Sequence, residues 1–221
     1  MKSGHRDKKW DEYIQSAFQS FDAENLATAG IFLKKAYELG CRDPLALFRL
    51  ALSRENAKDP KGAADHFVEA EKELAARYPG HPLAAAINKH AGRSLYKADR
   101  YEEALPYLAK AIELEPNDFM LLLMAGQIER IQKRYAPARE HFEKALAAGA
   151  PTGMTPDPVL TIQRELIIIT YLLKDREACE GYIAKVKEKD PADKVANEYQ
   201  RMIDKARYRE KELELIKKLS Q

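Results

Sequence analysis

Apolar residues recur along this chain at helical spacing. A small residue, a large apolar one four positions later and a small or branched one three positions further on appear as Ala29/Leu33/Ala36, Ala63/Phe67/Ala70, Ala104/Leu108/Ala111, Ala138/Phe142/Ala145 and Cys179/Ile183/Val186. Offsets of four and three put each triplet on one helical face. Twelve residues upstream of each triplet stand Ala17, Ala51, Gly92, Gly126 and Ile167, small in four cases of five, which predicts a second helix that approaches closely. The pattern divides the chain into units 10–43, 44–77, 85–118, 119–152 and 160–193, each of 34 residues reading helix, short turn, helix, with inserts at 78–84 and 153–159.

Turn chemistry agrees with these boundaries. Asp59-Pro60 offers an N-cap and a first-turn proline, and Pro137 falls in the first turn of its helix, where a missing N–H costs little. One such hairpin cannot cover its own apolar face, so neighbours must stack and the last one needs a lid. Val195, Tyr199, Met202, Ile203 and Ala206 follow helical spacing and predict that lid over the fifth unit. From Arg207 the helix turns highly charged, and Leu213, Ile216 and Leu219 form a shorter stripe that either folds back or meets another chain.

These residues resemble the tetratricopeptide repeat, a 34-residue helical hairpin with a W-x2-L-G-x2-Y, A-x3-F, P signature. The best copy runs Ala91-Gly92-Arg93-Ser94-Leu95-Tyr96 into Tyr101-Glu102-Glu103-Ala104-Leu105 and closes on Leu114-Glu115-Pro116; the next has Ala125-Gly126, Tyr135-Ala136-Pro137-Ala138 and Phe142. Units one and five depart from the pattern, with Ser16 and Ser20 at usually apolar sites and Ile167 at the small one. The resemblance implies an all-α, right-handed α-solenoid of five helix-turn-helix units over 10–193. A disordered basic arm over 1–9 would precede it and a capping, charged helix over 194–221 would follow.

The resemblance also implies that the first helices line a concave groove through unit positions 2, 5, 6, 9, 12 and 13. There the chain carries Ile14, Phe18, Phe21, Leu45, Phe48, Arg49 and Leu52, then Lys89, His90, Arg93, Tyr96 and Lys97. Met120, Leu123, Met124, Gln127 and Arg130 follow in unit four, and Arg164, Glu165, Ile168 and Tyr171 in unit five. The expected groove is apolar at its N-terminal end, basic in the middle and Met-rich beyond. It suits a protein or peptide ligand with apolar and acidic character, because cations pair with carboxylates while Met and aromatic residues adapt to apolar side chains. The competing reading has Phe18, Phe48 and Leu52 simply packing against the neighbouring first helix. The family's clamp for chaperone C-terminal tails is rejected: Met124 stands where that mode needs Asn, Thr161 and Glu165 where it needs Lys and Arg, and Ile14 and Phe18 where its first pair belongs.

Composition narrows the function classes. Of 221 residues, 45% are apolar and 33% charged, and Lys plus Arg (37) nearly cancels Asp plus Glu (35). That balance argues against nucleic acid as a partner, and position 5 (Ile14, Phe48, Lys89, Leu123, Arg164) carries no repeated base-reading residue. The basic ends, with Lys2, Arg6, Lys8 and Lys9 in the arm and Arg201 to Lys218 in the tail, read as solvated. No apolar run approaches the roughly 18 residues of a membrane span, so no membrane insertion is expected. Two widely separated cysteines, Cys41 and Cys179, suit a reducing, cytoplasmic address; Cys41 falls in a turn and is expected to be exposed, with redox sensing a minor alternative.

No chemistry emerges beyond binding. His66 and His141 share unit position 23 on the convex side with a whole unit between them, and His90 is the histidine expected in the groove. No metal-ligand spacing, phosphate-binding glycine loop or leftover domain is found, so no metal, no cofactor and no catalytic residue is assigned. The reading is a non-enzymatic adaptor or scaffold. Its alternative is a self-assembling structural protein, a homo-oligomer through the C-terminal helix, or a cargo chaperone within a secretion or assembly complex.

Overall fold

The computed structural model describes residues 9–149 and 157–219. The arm 1–8 and insert residues 153–156 lie outside these. Among the described residues every regular element is an α-helix, and two compact bodies divide near Pro116. The N-terminal body holds α1 (Asp11–Asp22), α2 (Leu26–Glu38), α3 (Pro44–Asn56), α4 (Pro60–Arg77), α5 (Leu83–Lys97) and α6 (Tyr101–Leu114). The C-terminal body holds α7 (Phe119–Ile131), α8 (Tyr135–Ala148), α9 (Pro158–Leu172), α10 (Arg176–Lys189) and α11 (Lys194–Leu219).

Consecutive helices pair as hairpins, α1 with α2 through α9 with α10, and each hairpin turns through three residues. The middle residue of every turn is left-handed: Glu24, Lys58, Asp99, Lys133 and Lys174 have φ of 57° to 61°. The third residue of each turn donates its N–H to the carbonyl five positions back, as Asn25 to Ser20 at 2.9 Å and Arg134 to Glu129 at 2.8 Å. A carbonyl left orphaned at the helix end is thus satisfied, and the chain reverses without glycine. Asn25, Asp59 and Asp175 then cap the helix that follows, the last accepting from Ala178 N at 3.1 Å.

All five triplets are buried, as are the five upstream sites. The close approach is real at Gly92 and Gly126, where a Cβ would lie 2.8 Å from Leu108 Cδ2 and from Phe142 Cδ1. Insert 78–84 is shorter than expected, because α4 runs to Arg77 and α5 starts at Leu83, whose side chain packs with Leu47, Leu74 and Ile87. At the second insert Asp157 caps α9, accepting from Val159 N at 2.9 Å, and Pro158 opens it.

Helix α11 is the expected lid. Ala196 and Ile203 are buried against Ile167, Cys179, Ile183 and Val186, with Val195 and Tyr199 beside them. Met202, expected in that stripe, is 39% exposed. Arg201 falls at the unit position that carries a small residue in four of the five hairpins, and it is exposed. A second correction concerns Cys41: it is buried with 2% exposure, because the turn tucks its side chain into the cluster of Ala17, Leu33 and Leu50.

Candidate functional site

In the N-terminal body the predicted groove residues lie on α1, α3 and α5. Arg49 stacks over the Phe18 ring at 3.9 Å and reaches Phe21 at 5.0 Å and Asp22 at 4.0 Å. Ile14 and Phe18 pack on the core beneath them, and Phe48 and Leu52 pack on Ala51, Phe67 and Ala91. These side chains remain partly exposed, so they serve the core and still present an apolar surface. Leu45 stands 37% exposed at the start of α3.

The cations of α5 are organised by carboxylates that the sequence reading passed over. Lys89 Nζ donates to Glu115 at 2.6 Å. His90 stacks on Phe67 with centroids 5.3 Å apart, meets Phe48 edge-on, and places Nδ1 2.8 Å from Glu55 Oε2. Ser94 Oγ donates to the other oxygen of Glu55 at 2.9 Å. Burial pushes the Glu55 carboxyl up, but the bonds from His90 and Ser94 and the charges of His90 and Lys97 outweigh it and hold it below the ordinary value. Arg93 keeps a buried Nε with no hydrogen-bond partner among the described residues. Lys97, exposed, shares a hollow of about 280 Å³ with Glu55, Lys58, Pro60 and Ser94. Tyr96 meets Tyr101 at 5.8 Å.

The C-terminal body repeats the register. Arg130 Nε lies 2.8 Å from Glu165 Oε2, and the pair joins the same two unit positions as Glu55 and His90. Arg164 reaches Asp193 at 2.6 Å and Asp190 at 3.8 Å, and its contact to Asp190 repeats that of Lys89 to Glu115. Burial raises the Glu165 carboxyl, with Arg130 opposing. Met124 is buried with 5% exposure and offers no surface; Met120, Leu123, Gln127 and Ile168 are half-buried. Tyr171 packs edge-on against Tyr199 at 5.1 Å.

The basic middle expected of the groove is therefore largely neutralised from within. Lys89, His90, Arg130 and Arg164 each face a carboxylate of the same body. The signal that could have found this is the spacing itself: Glu115 and Asp190 both lie 26 residues after the position-5 cation. His66 and His141 face neighbouring side chains of their own bodies. His66 packs edge-on to Tyr37 at 4.9 Å, and His141 lies 2.7 Å from the buried Glu129. Cys179 donates to the Ile167 carbonyl at 3.4 Å, and burial raises its thiol.

Residues 90–152 match the tetratricopeptide repeat family model. The type IV pilus assembly protein PilF of Pseudomonas aeruginosa is 31% identical over 143 residues, which is 64% of this chain and 54% of PilF. The chain thus spans about half the length of this curated relative. Among solved structures, YrrB, described as a tetratricopeptide-repeat protein with an unusual peptide-binding site, superposes with a TM-score of 0.64 at 20% identity, covering 89% of this chain and 94% of YrrB. MamA from Desulfovibrio magneticus RS-1 superposes at 0.57 and 20%, over 85% and 98%. At such identities the likeness speaks for the fold. Together with the in-register hairpins and their glycine contacts, it establishes, among the described residues, an all-helical architecture like that of the tetratricopeptide-repeat solenoids, with residues 90–152 matching the repeat itself.

Proposed function

We propose that this protein is a non-enzymatic scaffold in which each of the five hairpins is one repeat and the first-helix faces of α1, α3 and α5 hold a peptide or protein segment. The observation that carries the reading is the run of half-exposed Ile14, Phe18, Phe21, Phe48 and Leu52, with the Arg49 guanidinium 3.9 Å and 5.0 Å from the centroids of the Phe18 and Phe21 rings. Apolar surface of this kind marks a docking site. Because Lys89 and His90 are already paired, selectivity for acidic ligands rests on Arg93 and Lys97. PilF is a pilus assembly protein, which favours a scaffold inside an assembly complex, and YrrB carries a peptide-binding site, which favours peptide capture. The cytosol is the proposed address, on the balanced charge and two buried cysteines, Cys41 and Cys179, that are not joined in a disulfide.

The test is retention of a pool of uncharged, C-terminally amidated apolar peptides by the immobilised full chain. Wild type retains the pool, and Phe21→Asp with Leu52→Asp lowers retention roughly tenfold while the helical circular dichroism is kept. Equal retention by the folded double variant defeats the reading.

A further inference from the structure

We propose that the hollow between the end of α3 and the end of α5 is a carboxylate pocket, in which Lys58 and Lys97 clasp an acid group of the peptide held on the neighbouring apolar face. This inference rests on the groove reading of the N-terminal body and names the part of the ligand that this end of the groove selects.

Four observations converge there. First, the surface is concave, a hollow of about 280 Å³ lined by Glu55, Lys58, Pro60, Ser94 and Lys97. Second, Lys58 and Lys97 are both exposed and form no ion pair among the described residues, whereas Lys89 and His90 on the same helix as Lys97 each face a carboxylate within 2.8 Å. Third, both oxygens of Glu55, the carboxylate in the hollow, are already engaged by other residues. One of its oxygens takes Ser94 Oγ at 2.9 Å and the other faces His90 Nδ1 at 2.8 Å, and it lies only 20% exposed. Fourth, the hollow continues the apolar face, because Leu52 precedes Glu55 by one helical turn on α3 and Arg93 precedes Lys97 by one turn on α5.

The backbone helps to fix the geometry. Lys58 is the left-handed residue of the α3–α4 turn, with φ 58°, and Pro60 opens α4 two residues later. That conformation holds its Cα beside the hollow, so only the side chain need be ordered by a ligand. Two lysines lining one concave spot favour a compact anion with several acceptor positions, which a carboxylate is and an amide is not. Glu55 then acts as a positioning residue: tied down by His90 and Ser94, it leaves the lysines' outer hydrogens to the ligand.

The acid can come from a peptide C-terminus or from an Asp or Glu side chain, and matched pools separate the two. The immobilised full chain is presented with an apolar pool ending in a free carboxylate, the same pool amidated, and an amidated pool carrying one internal Glu. The expected result is roughly tenfold better retention of one acid-bearing pool than of the amidated one, falling to equality in the exposed-site variant Lys58→Ala with Lys97→Ala and surviving in Lys58→Arg with Lys97→Arg. Retention of the C-terminal acid assigns the pocket to a chain end, and retention of the internal Glu assigns it to a side chain. Equal retention of all three pools by wild type overturns the pocket and leaves the groove standing. Retention of none overturns both, and an acid preference that persists in the double alanine variant overturns the pocket alone.

Discussion

Gly92 and Leu108 touch across the α5–α6 hairpin so closely that a methyl group on the glycine would lie 2.8 Å from Leu108 Cδ2 and 3.1 Å from its backbone nitrogen. The side chain is fully buried and the backbone belongs to a helix, so neither can withdraw. Alanine for glycine within a helix ordinarily gains about 1 kcal/mol. Here overpacking outweighs that gain, and Gly92→Ala is expected to destabilise the protein by about 1–2 kcal/mol, read as a lower urea midpoint with an unchanged slope.

The left-handed turn residues predict an opposite response. Lys133 sits at φ 59°, a conformation that costs a side-chain-bearing residue energy and glycine little. Lys133→Gly is expected to be neutral or to stabilise by up to about 1 kcal/mol, and Lys133→Val to destabilise by about 1–2 kcal/mol. Thermal melts of the two variants side by side decide this, and an equal loss in both removes the conformational explanation.

Two carboxyls should bend the pH dependence in opposite directions. Glu55 is held below its ordinary 4.5, so the stability it lends is complete above 4.5 and is lost as pH falls through the lower folded value. Glu165 is held above 4.5 by burial, so its contribution is present below 4.5 and is lost as pH rises through the higher folded value. Stability measured by denaturant from about pH 3 to pH 7 should therefore flatten below 4.5 in Glu55→Gln and above 4.5 in Glu165→Gln.

Asp193 ties two elements at once. Its Oδ1 accepts from Ala196 N at 2.8 Å to cap α11, and its Oδ2 takes Arg164 at 2.6 Å. Removing the arginine leaves a buried carboxylate uncompensated, so Arg164→Ala is expected to cost about 2 kcal/mol. The loss should be local: amide exchange speeds up at 194–206 in the lid while α7 and α8 keep their protection.

Much of the hairpin pattern was legible because burial in a helix imposes a period. Ala104, Leu108 and Ala111 declare one face, Gly92 declares what must come close to it, and the structure places them so. The candidate site was less legible. Lys89 and Arg164 read as free cations because their partners, Glu115 and Asp190, come from the far end of the second helix, and a charge carries no period that marks its mate. Glu55 escaped notice because a carboxylate at a groove position looks solvated until His90 and Ser94 are seen to hold it. Cys41 read as exposed because turns usually are, whereas the left-handed Gly40 at φ 93° turns the chain so that the next side chain points inward.

By itself the sequence determined which residues must be sheltered and how far apart along the chain the sheltered faces recur, since apolar burial is cumulative and tolerates small displacements. Tertiary structure alone decided which charges are spent on one another, where a thiol is hidden and where two lysines are left facing a hollow. Those outcomes turn on distances of a few ångströms between segments some 26 to 39 residues apart, over which electrostatic and hydrogen-bond energies change from negligible to decisive.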